Sequence, residues 1–407
     1  MERPYVKAVI TEKAERAARN GHPWVYGEEI TELDGKPENG DIVDVLTIKG
    51  RWLGAGFYND NSKIRIRIIS RNTNDRFDEA FFERRIRHAV DYRIAAMGEE
   101  FSACRLIFGE ADFFPGLTVD KFNDILVTEV LSYGMDKRKD TLYPLLIKVL
   151  AEAGTEVNAI YERNEDSLRD KEGLKRYKGF YRMEGLWDDL DGHVEICENG
   201  IYYDVDYING QKTGFFLDQK YNRAAAARLT KGKNVLDCCT HTGAFALNAA
   251  KAGAKKVTAL DVSQDALDMA QKNAARNGLS ENMCFVRADV FDFLTELTET
   301  KSKEYDFIIL DPPAFTKSGA TLKNAYRGYK EINLKAMRSL PRGGYLATCS
   351  CSHFMTRELF EKMLTEAALD AGVQLKQIEA RQQAPDHPVL WGVPETDYLK
   401  FYLFQVT

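Results

Sequence analysis

Val235-Leu236-Asp237-Cys238-Cys239-Thr240-His241-Thr242-Gly243-Ala244-Phe245 decides the fold class. Apolar residues run into an acid, a short polar loop ends on one glycine, and a helix-forming stretch follows. Outward from it, strand patterns at 234–236, 256–260, 284–288 and 305–310 alternate with helical patterns at 244–252 and 264–277. Strands alternating with helices predict an α/β architecture with a parallel sheet, Rossmann-like in its layering.

In such sheets ligands sit at the carboxyl ends of the strands, so the residues that close each strand are read together. They are Asp237, Asp261, Asp289 and Asp311. Asp261 lies 18 residues beyond Gly243, near where an acid on the second strand holds ribose hydroxyls. A nucleoside cofactor is therefore expected. The single loop glycine lacks the backbone nest that pyrophosphate requires, which argues against NAD and ATP. S-adenosylmethionine carries ribose and adenine without phosphate, and its sulfonium and ammonium groups suit an acid-lined site. The competing reading makes these aspartates helix N-caps, improbable for four in succession.

Asp311-Pro312-Pro313-Ala314-Phe315 closes the fourth strand, and its prolines stiffen a turn that can present Asp311 and peptide carbonyls to an amine. The next strand, Tyr345 to His353, brings Cys351 to the same edge, with Cys349 two residues earlier on the same face. A thiolate there suits pyrimidine chemistry: carbon 5 is not nucleophilic until a thiolate adds at carbon 6. Cys351 is the preferred nucleophile and Cys349 the alternative; the bland reading is a pair of small buried apolar residues. Cys238, Cys239 and His241 invite comparison with a metal site, but adjacent or alternate strand cysteines do not converge tetrahedrally, and no metal is expected.

The rest of the chain sets the context. Its 407 residues predict two or three domains, and 44% hydrophobic with 29% charged residues predict a folded globular protein. A net charge of −6 argues against nonspecific coating of nucleic acid, though it leaves room for a local basic groove. Mean hydropathy is −0.39, no apolar run is long enough for a membrane span, and seven unpatterned cysteines fit a reducing compartment. A soluble cytoplasmic protein with no membrane partner is expected. Residues 1–72 read as a β-rich module, 73–190 as a central α+β domain with a helix from Asp75 to Met97, and 191–407 as the α/β domain. In Lys63-Ile64-Arg65-Ile66-Arg67-Ile68 the charges alternate, which on a strand makes a basic ridge. It is either a solvated sheet face or, with Arg84, a contact for RNA phosphates.

With Gly21-His22-Pro23-Trp24-Val25-Tyr26, Gly210-Gln211-Lys212-Thr213-Gly214-Phe215-Phe216-Leu217-Asp218-Gln219 and Ser350-Cys351-Ser352 added to the strand-end motifs, the chain resembles bacterial class I S-adenosylmethionine-dependent rRNA cytosine-5 methyltransferases that begin with a PUA domain. The resemblance covers nearly the whole chain. It implies a PUA module at the start, S-adenosylmethionine as cofactor and large-subunit ribosomal RNA as partner; a homodimer is left open. Cofactor roles carry over to Asp237, Thr240, Gly243, Phe245, Asp261, Val262, Asp289, Val290 and Asp311, and further to Thr213, Phe216, Asp218 and Arg223. Cys351 takes the nucleophile's place and Asp311 also contacts cytosine; Lys63, Arg65, Arg67 and Arg84 would face RNA. Pro313 and Ala314 stand where such enzymes often carry a second cysteine for product release. The alternatives are a guanine or amine-nitrogen methyltransferase, which needs no thiol, and a non-catalytic RNA-binding assembly factor.

Overall fold

Three apolar strand runs in the first seventy residues need a common face to bury, and in the computed structural model they find it in one sheet. The structure describes residues 3–316 and 318–407, so Met1 and Glu2 of the expected 1–72 module lie outside the described residues. The chain forms two compact units: one holds the chain through Ile196 with Val205–Leu217 and Pro385–Thr396, the other Cys197–Asp204, Asp218–Ala384 and Asp397–Thr407.

In the first unit β1 (Val6–Ile10), β2 (Trp24–Tyr26), β3 (Ile30–Leu33), β4 (Ile42–Thr47), β5 (Trp52–Tyr58) and β6 (Ile64–Ser70) form a sheet of order β2-β6-β5-β4-β1-β3. Alternate residues Ala8, Ile10, Val43, Val45, Ile66 and Ile68 fill its core. The central domain follows with β7 (Ala103–Phe108), β8 (Leu117–Phe122), β9 (Ile125–Val130), β10 (Ala159–Asn164) and β11 (Tyr177–Phe180), ordered β11-β10-β9-β8-β7. Its first helix spans Glu79–Met97, four residues later than expected at Asp75, because Asp78 caps it by accepting from Phe81 N at 3.0 Å.

Arg93 on that helix is fully buried: it grips Asp112 at 2.6 and 2.7 Å and donates to the Asp386 carbonyl at 2.9 Å. Asp386 in turn accepts from Arg105 N at 2.9 Å. These bonds tie the segment 385–396 to the first unit, so the expected 191–407 domain is not contiguous.

The hairpin β12 (His193–Glu198) and β13 (Ile201–Asp206) contributes residues to both units. In the second unit β14 (Asn234–Cys238), β15 (Lys256–Asp261), β16 (Met283–Arg287), β17 (Phe307–Leu310), β18 (Tyr345–Ser350), β19 (Leu375–Arg381) and β20 (Lys400–Val406) form a sheet of order β16-β15-β14-β17-β18-β20-β19. The first five are parallel, and β20 runs antiparallel to β18 and β19. The order reverses between β14 and β17, which opens a crevice at their carboxyl ends.

Helices cover both faces, so the strands are apolar on both sides. Leu236, Leu260, Ile308 and Leu346 pack beneath the helices 290–299, 322–339 and 357–371, while Val235, Val257, Ile309 and Ala347 pack beneath 244–251. Each fully buried Leu or Val side chain contributes about 1.5–3 kcal/mol.

Gly56 on β5 lies so close to the Arg67 carbonyl and Ile68 Cα on β6 that a Cβ there would overlap them. Gly56→Ala is expected to lower stability by about 1–3 kcal/mol, read as a shift of the urea midpoint without a change of slope.

Candidate active site

Parallel strands deliver their carboxyl ends to one edge, and in the second unit that edge carries the predicted acids. Asp237, near the end of β14, is fully buried. Its Oδ2 accepts from Thr240 Oγ1 at 2.6 Å and from Ala246 N at 2.9 Å, while Oδ1 has no hydrogen-bond partner among the described residues. Burial, with the charges of Asp311 and Asp261 behind it, raises its carboxyl to about 7 against the pull of Thr240 and Ala246.

The loop after Asp237 is bent by Cys239 (φ 62°), His241 (φ 51°) and Gly243 (φ 86°). A Cβ on Gly243 would lie 3.0 Å from Ala270 Cβ, in a conformation that favours glycine. Thr240 N donates to Leu260 O, and His241 N to Asp261 Oδ2, both at 2.9 Å. Asp261 thus shapes the loop, and its Oδ1 accepts from Ser263 N at 3.0 Å.

Asp311 follows β17. Its Oδ1 accepts from Gln219 Nε2 at 2.9 Å, and burial with the Asp218 charge raises it to about 7 while Arg223 and Gln219 oppose the rise. Asp218 Oδ2 accepts from Tyr398 OH at 2.6 Å, and its buried Oδ1 has no partner among the described residues. Phe315 anchors the turn by packing against Tyr329 with ring centroids 4.5 Å apart.

Cys351 stands just beyond β18, partly exposed between Ser350 and Ser352, which are buried. Ser352 Oγ donates to Thr316 O at 3.1 Å, linking the thiol's turn to the segment that follows Asp311. Burial, then Asp311 and Asp218, push the Cys351 thiol up to about 12. Cys349 is fully buried in the core and its thiol is also raised by burial. Cys349 also hydrogen-bonds Asp311 and Gln219, so exposure is what separates the two cysteines.

Not every expected residue faces the crevice. Phe245 is a core residue stacked on Phe401, Val290 is buried in the opposite core cluster, and Val262 is 60% exposed. Asp289 caps the helix 290–299 by accepting from Phe291 N at 2.7 Å, so the N-cap reading describes its Oδ1. Arg223 is buried in a two-pronged pair with Glu198, at 2.7 Å each, and influences Asp311 by charge. Thr213 and Phe216 belong to the first unit, where Thr213 Oγ1 donates to Asp120 at 2.5 Å.

The basic ridge requires a correction. Arg67 is only 13% exposed and pairs with Glu172 at 2.8 Å and Glu110 at 3.4 Å; Arg65 pairs with Asp60. Arg67 is thereby committed to the fold, because carboxylates from distant segments meet it. Lys63 is exposed, and Arg84 is half exposed and pairs with Asp75 at 3.0 Å. Gln219 and Tyr398 had no assigned role in the sequence; the one signal was Gln219's position beside Asp218.

Two buried carboxylate oxygens without partners, beside acids whose ionisation is opposed only by burial and by one another, fit a ligand carrying positive charge and hydrogen-bond donors. The sulfonium and ammonium of S-adenosylmethionine meet that description; Asp237, Asp261 and Asp218 would hold it.

The PUA-like domain family matches residues 8–71, and the family described as S-adenosylmethionine-dependent methyltransferase matches residues 173–404. A protein of Pseudoalteromonas translucida named ribosomal RNA large subunit methyltransferase I is 40% identical over 395 residues, 96% of this chain and 97% of its own. One of the same name from Shewanella amazonensis is 43% identical over 388 residues, 95% and 96% of the two chains. Among solved structures, one described as a SAM-dependent methyltransferase from Streptococcus mutans gives a TM-score of 0.81 at 21% identity, over 98% of this chain and 99% of that one. A methyltransferase structure complexed with SAH gives 0.83 at 21% identity over the same shares. At such identity these two establish the fold alone. Identity of 40% or more across nearly the whole length establishes more: the chain belongs to the S-adenosylmethionine-dependent methyltransferases that carry a PUA-like domain, the family of the proteins named ribosomal RNA large subunit methyltransferase I.

Proposed function

We propose that this methyltransferase forms 5-methylcytosine in large-subunit ribosomal RNA through a covalent adduct on Cys351. The observation that supports the reading is the pairing of neighbours: β17 and β18 are adjacent and in register from Phe307↔Tyr345 to Leu310↔Thr348, which sets Asp311 level with Cys349 and brings Cys351 out two residues beyond it, where the Asp311 charge acts on its thiol. A partly exposed thiol beside a carboxyl raised to about 7 is what carbon 5 chemistry needs.

S-adenosylmethionine supplies the electrophilic methyl group. The target cytosine leaves its stack, since its carbons 5 and 6 are shielded within a helix. The Cys351 thiolate adds to carbon 6, and the protonated Asp311 carboxyl gives its proton to the pyrimidine ring, so carbon 5 becomes enamine-like and nucleophilic. After methylation the carbon 5 proton passes to solvent, its electron pair expels the thiolate from carbon 6, and the ring proton returns to the Asp311 carboxylate, which restores the aromatic ring and the enzyme. Cys349 hydrogen-bonds Asp311 but is fully buried, so Cys351 rather than Cys349 is the thiol open to a substrate. In the division of labour we propose, 1–72 binds RNA, 73–190 supports it and 191–407 carries the chemistry in the cytoplasm, lending 205–217 and 385–396 to the first unit's packing.

Wild type and Cys351→Ala, incubated with ribosomal RNA from cells lacking the protein and with labelled S-adenosylmethionine, should differ in one product. Mass spectrometry is expected to find labelled 5-methylcytidine with the wild type only. Label on guanosine, or activity that survives the substitution, would refute the reading.

The raised acids also predict a pH dependence. Asp237 and Asp311 keep protons up to about pH 7 in the ligand-free fold, whereas in the unfolded chain they ionise near 4. Their contribution to stability is thus fully present below that lower value and is lost as pH rises through about 7. A cationic ligand held by Asp237 favours that group's ionised form, so S-adenosylmethionine affinity should rise with pH through the same range. Calorimetry in buffers of differing ionisation enthalpy is expected to register proton release on binding.

Of Lys63, Arg65, Arg67 and Arg84, the exposed ones are Lys63 and Arg84. Replacing both with Glu should weaken RNA binding and flatten the slope of log affinity against log salt by about two units, with cofactor affinity unchanged. Arg67→Glu should instead lower stability by about 3–5 kcal/mol, because Glu172 loses its buried partner.

A further inference from the structure

The turn that carries Cys351 is clamped from two sides. Ser352 Oγ reaches Thr316 O, and the Ser352 carbonyl accepts from Lys400 Nζ at 2.7 Å. The same ammonium donates to the Tyr398 carbonyl at 2.7 Å. Lys400 opens β20, pairs in register with Ser350 on β18 and is 3% exposed. An ammonium in such a place is costly, and two carbonyls satisfy only two of its three N–H groups.

Charged and titratable groups surround both residues. Lys400 faces Cys351, Asp397 and Arg357; burial lowers it to about 8, Cys351 and Asp397 hold it up, and Arg357 adds to the fall. Cys351 faces Asp311, Asp218, Cys349, Tyr329 and Lys400; burial and the two acids disfavour the thiolate, and Lys400 favours it. Asp397 lies 3.9 Å from Arg357 and is shared with it. Methyl transfer to carbon 5 needs a thiolate in a place that burial and acids make hostile to one, and Lys400 is a cation that favours it. A merely structural lysine would need only its N–H groups, which a neutral amine also supplies.

We propose that Lys400 is the positioning residue of the nucleophile: it fixes the Cys351 turn and, as an ammonium, favours the Cys351 thiolate. The S–H bond breaks, its electron pair stays on sulfur, the proton passes to solvent, and no further reactant is consumed. The inference rests on the covalent reading of Cys351 given above and adds what stabilises its thiolate.

The test needs no RNA, so its failure is separable from failure of that reading. Full-length protein is alkylated with iodoacetamide from neutral to alkaline pH, and carbamidomethylation of Cys351 is followed by mass spectrometry, with exposed Cys284 as internal reference. Lys400→Met is expected to slow Cys351 alkylation at neutral pH by about tenfold or more, the effect of one unit in thiol ionisation, with Cys284 unaffected. Lys400→Arg, which keeps the charge, should restore the neutral-pH rate. It should also convert the two-step titration of the coupled pair into a single step, since its guanidinium does not titrate in this range. A Lys400→Met profile that superimposes on the wild type overturns the inference. Should Lys400→Met not fold, a Lys400→Arg profile that keeps two steps overturns it as well.

Discussion

Buried negative charge at one edge of a parallel sheet is the constraint on which the catalytic unit is built. Asp237 near the end of β14 and Asp311 just after β17 lie on neighbouring strands whose register sets Cys238 opposite Leu310, so their carboxyls are brought together, Asp237 fully buried and Asp311 half-buried. Hydrogen bonds from Thr240, Ala246 and Gln219 compensate in part, and both groups still sit near 7. The cation close at hand, Arg223, is committed to Glu198. Among the described residues the Oδ1 atoms of Asp237 and Asp218 thus lack a donor, which a sulfonium-bearing ligand with an ammonium group brings.

The loop beside Asp237 is shaped by the same need. Cys239 and His241 adopt left-handed backbone conformations that cost roughly 1–3 kcal/mol each in a non-glycine residue. Bonds from Thr240 N to Leu260 and from His241 N to Asp261 offset part of this strain and keep the loop curved round the acids. Asp261 therefore acts on the loop as well as on what the loop encloses. On the far side, the turns after β17 and β18 are joined through Ser352 and Thr316.

Arginines show where pattern reading meets its limit. Alternating charges along β6 imply an outer ridge, and period two does place them on one face. Whether that face meets water depends on which carboxylates the rest of the chain brings to it. Glu110 and Glu172 reach Arg67, Asp112 reaches Arg93, and Glu198 reaches Arg223, across 19 to 105 residues of sequence. No local signal encodes such partners, because a buried ion pair is a product of packing.

The sequence by itself determined the alternation of strands and helices, the acid at the end of each of four strands, the proline turn and the choice of a thiol at the fifth. These are local regularities, and a parallel sheet converts their order along the chain into one edge in space. Tertiary structure alone decided that Asp289 caps a helix, that Cys349 is fully buried while Cys351 is partly exposed, and that Gln219 bonds Asp311, Tyr398 bonds Asp218 and Lys400 bonds the Ser352 carbonyl. It also decided that Pro385–Thr396 returns to the first unit, held by Asp386 on Arg93 and Arg105. The physical reason is common to all of them: burial and the partners of a polar group are set by what packs against it, and neither is a property of the residue's neighbours in the chain.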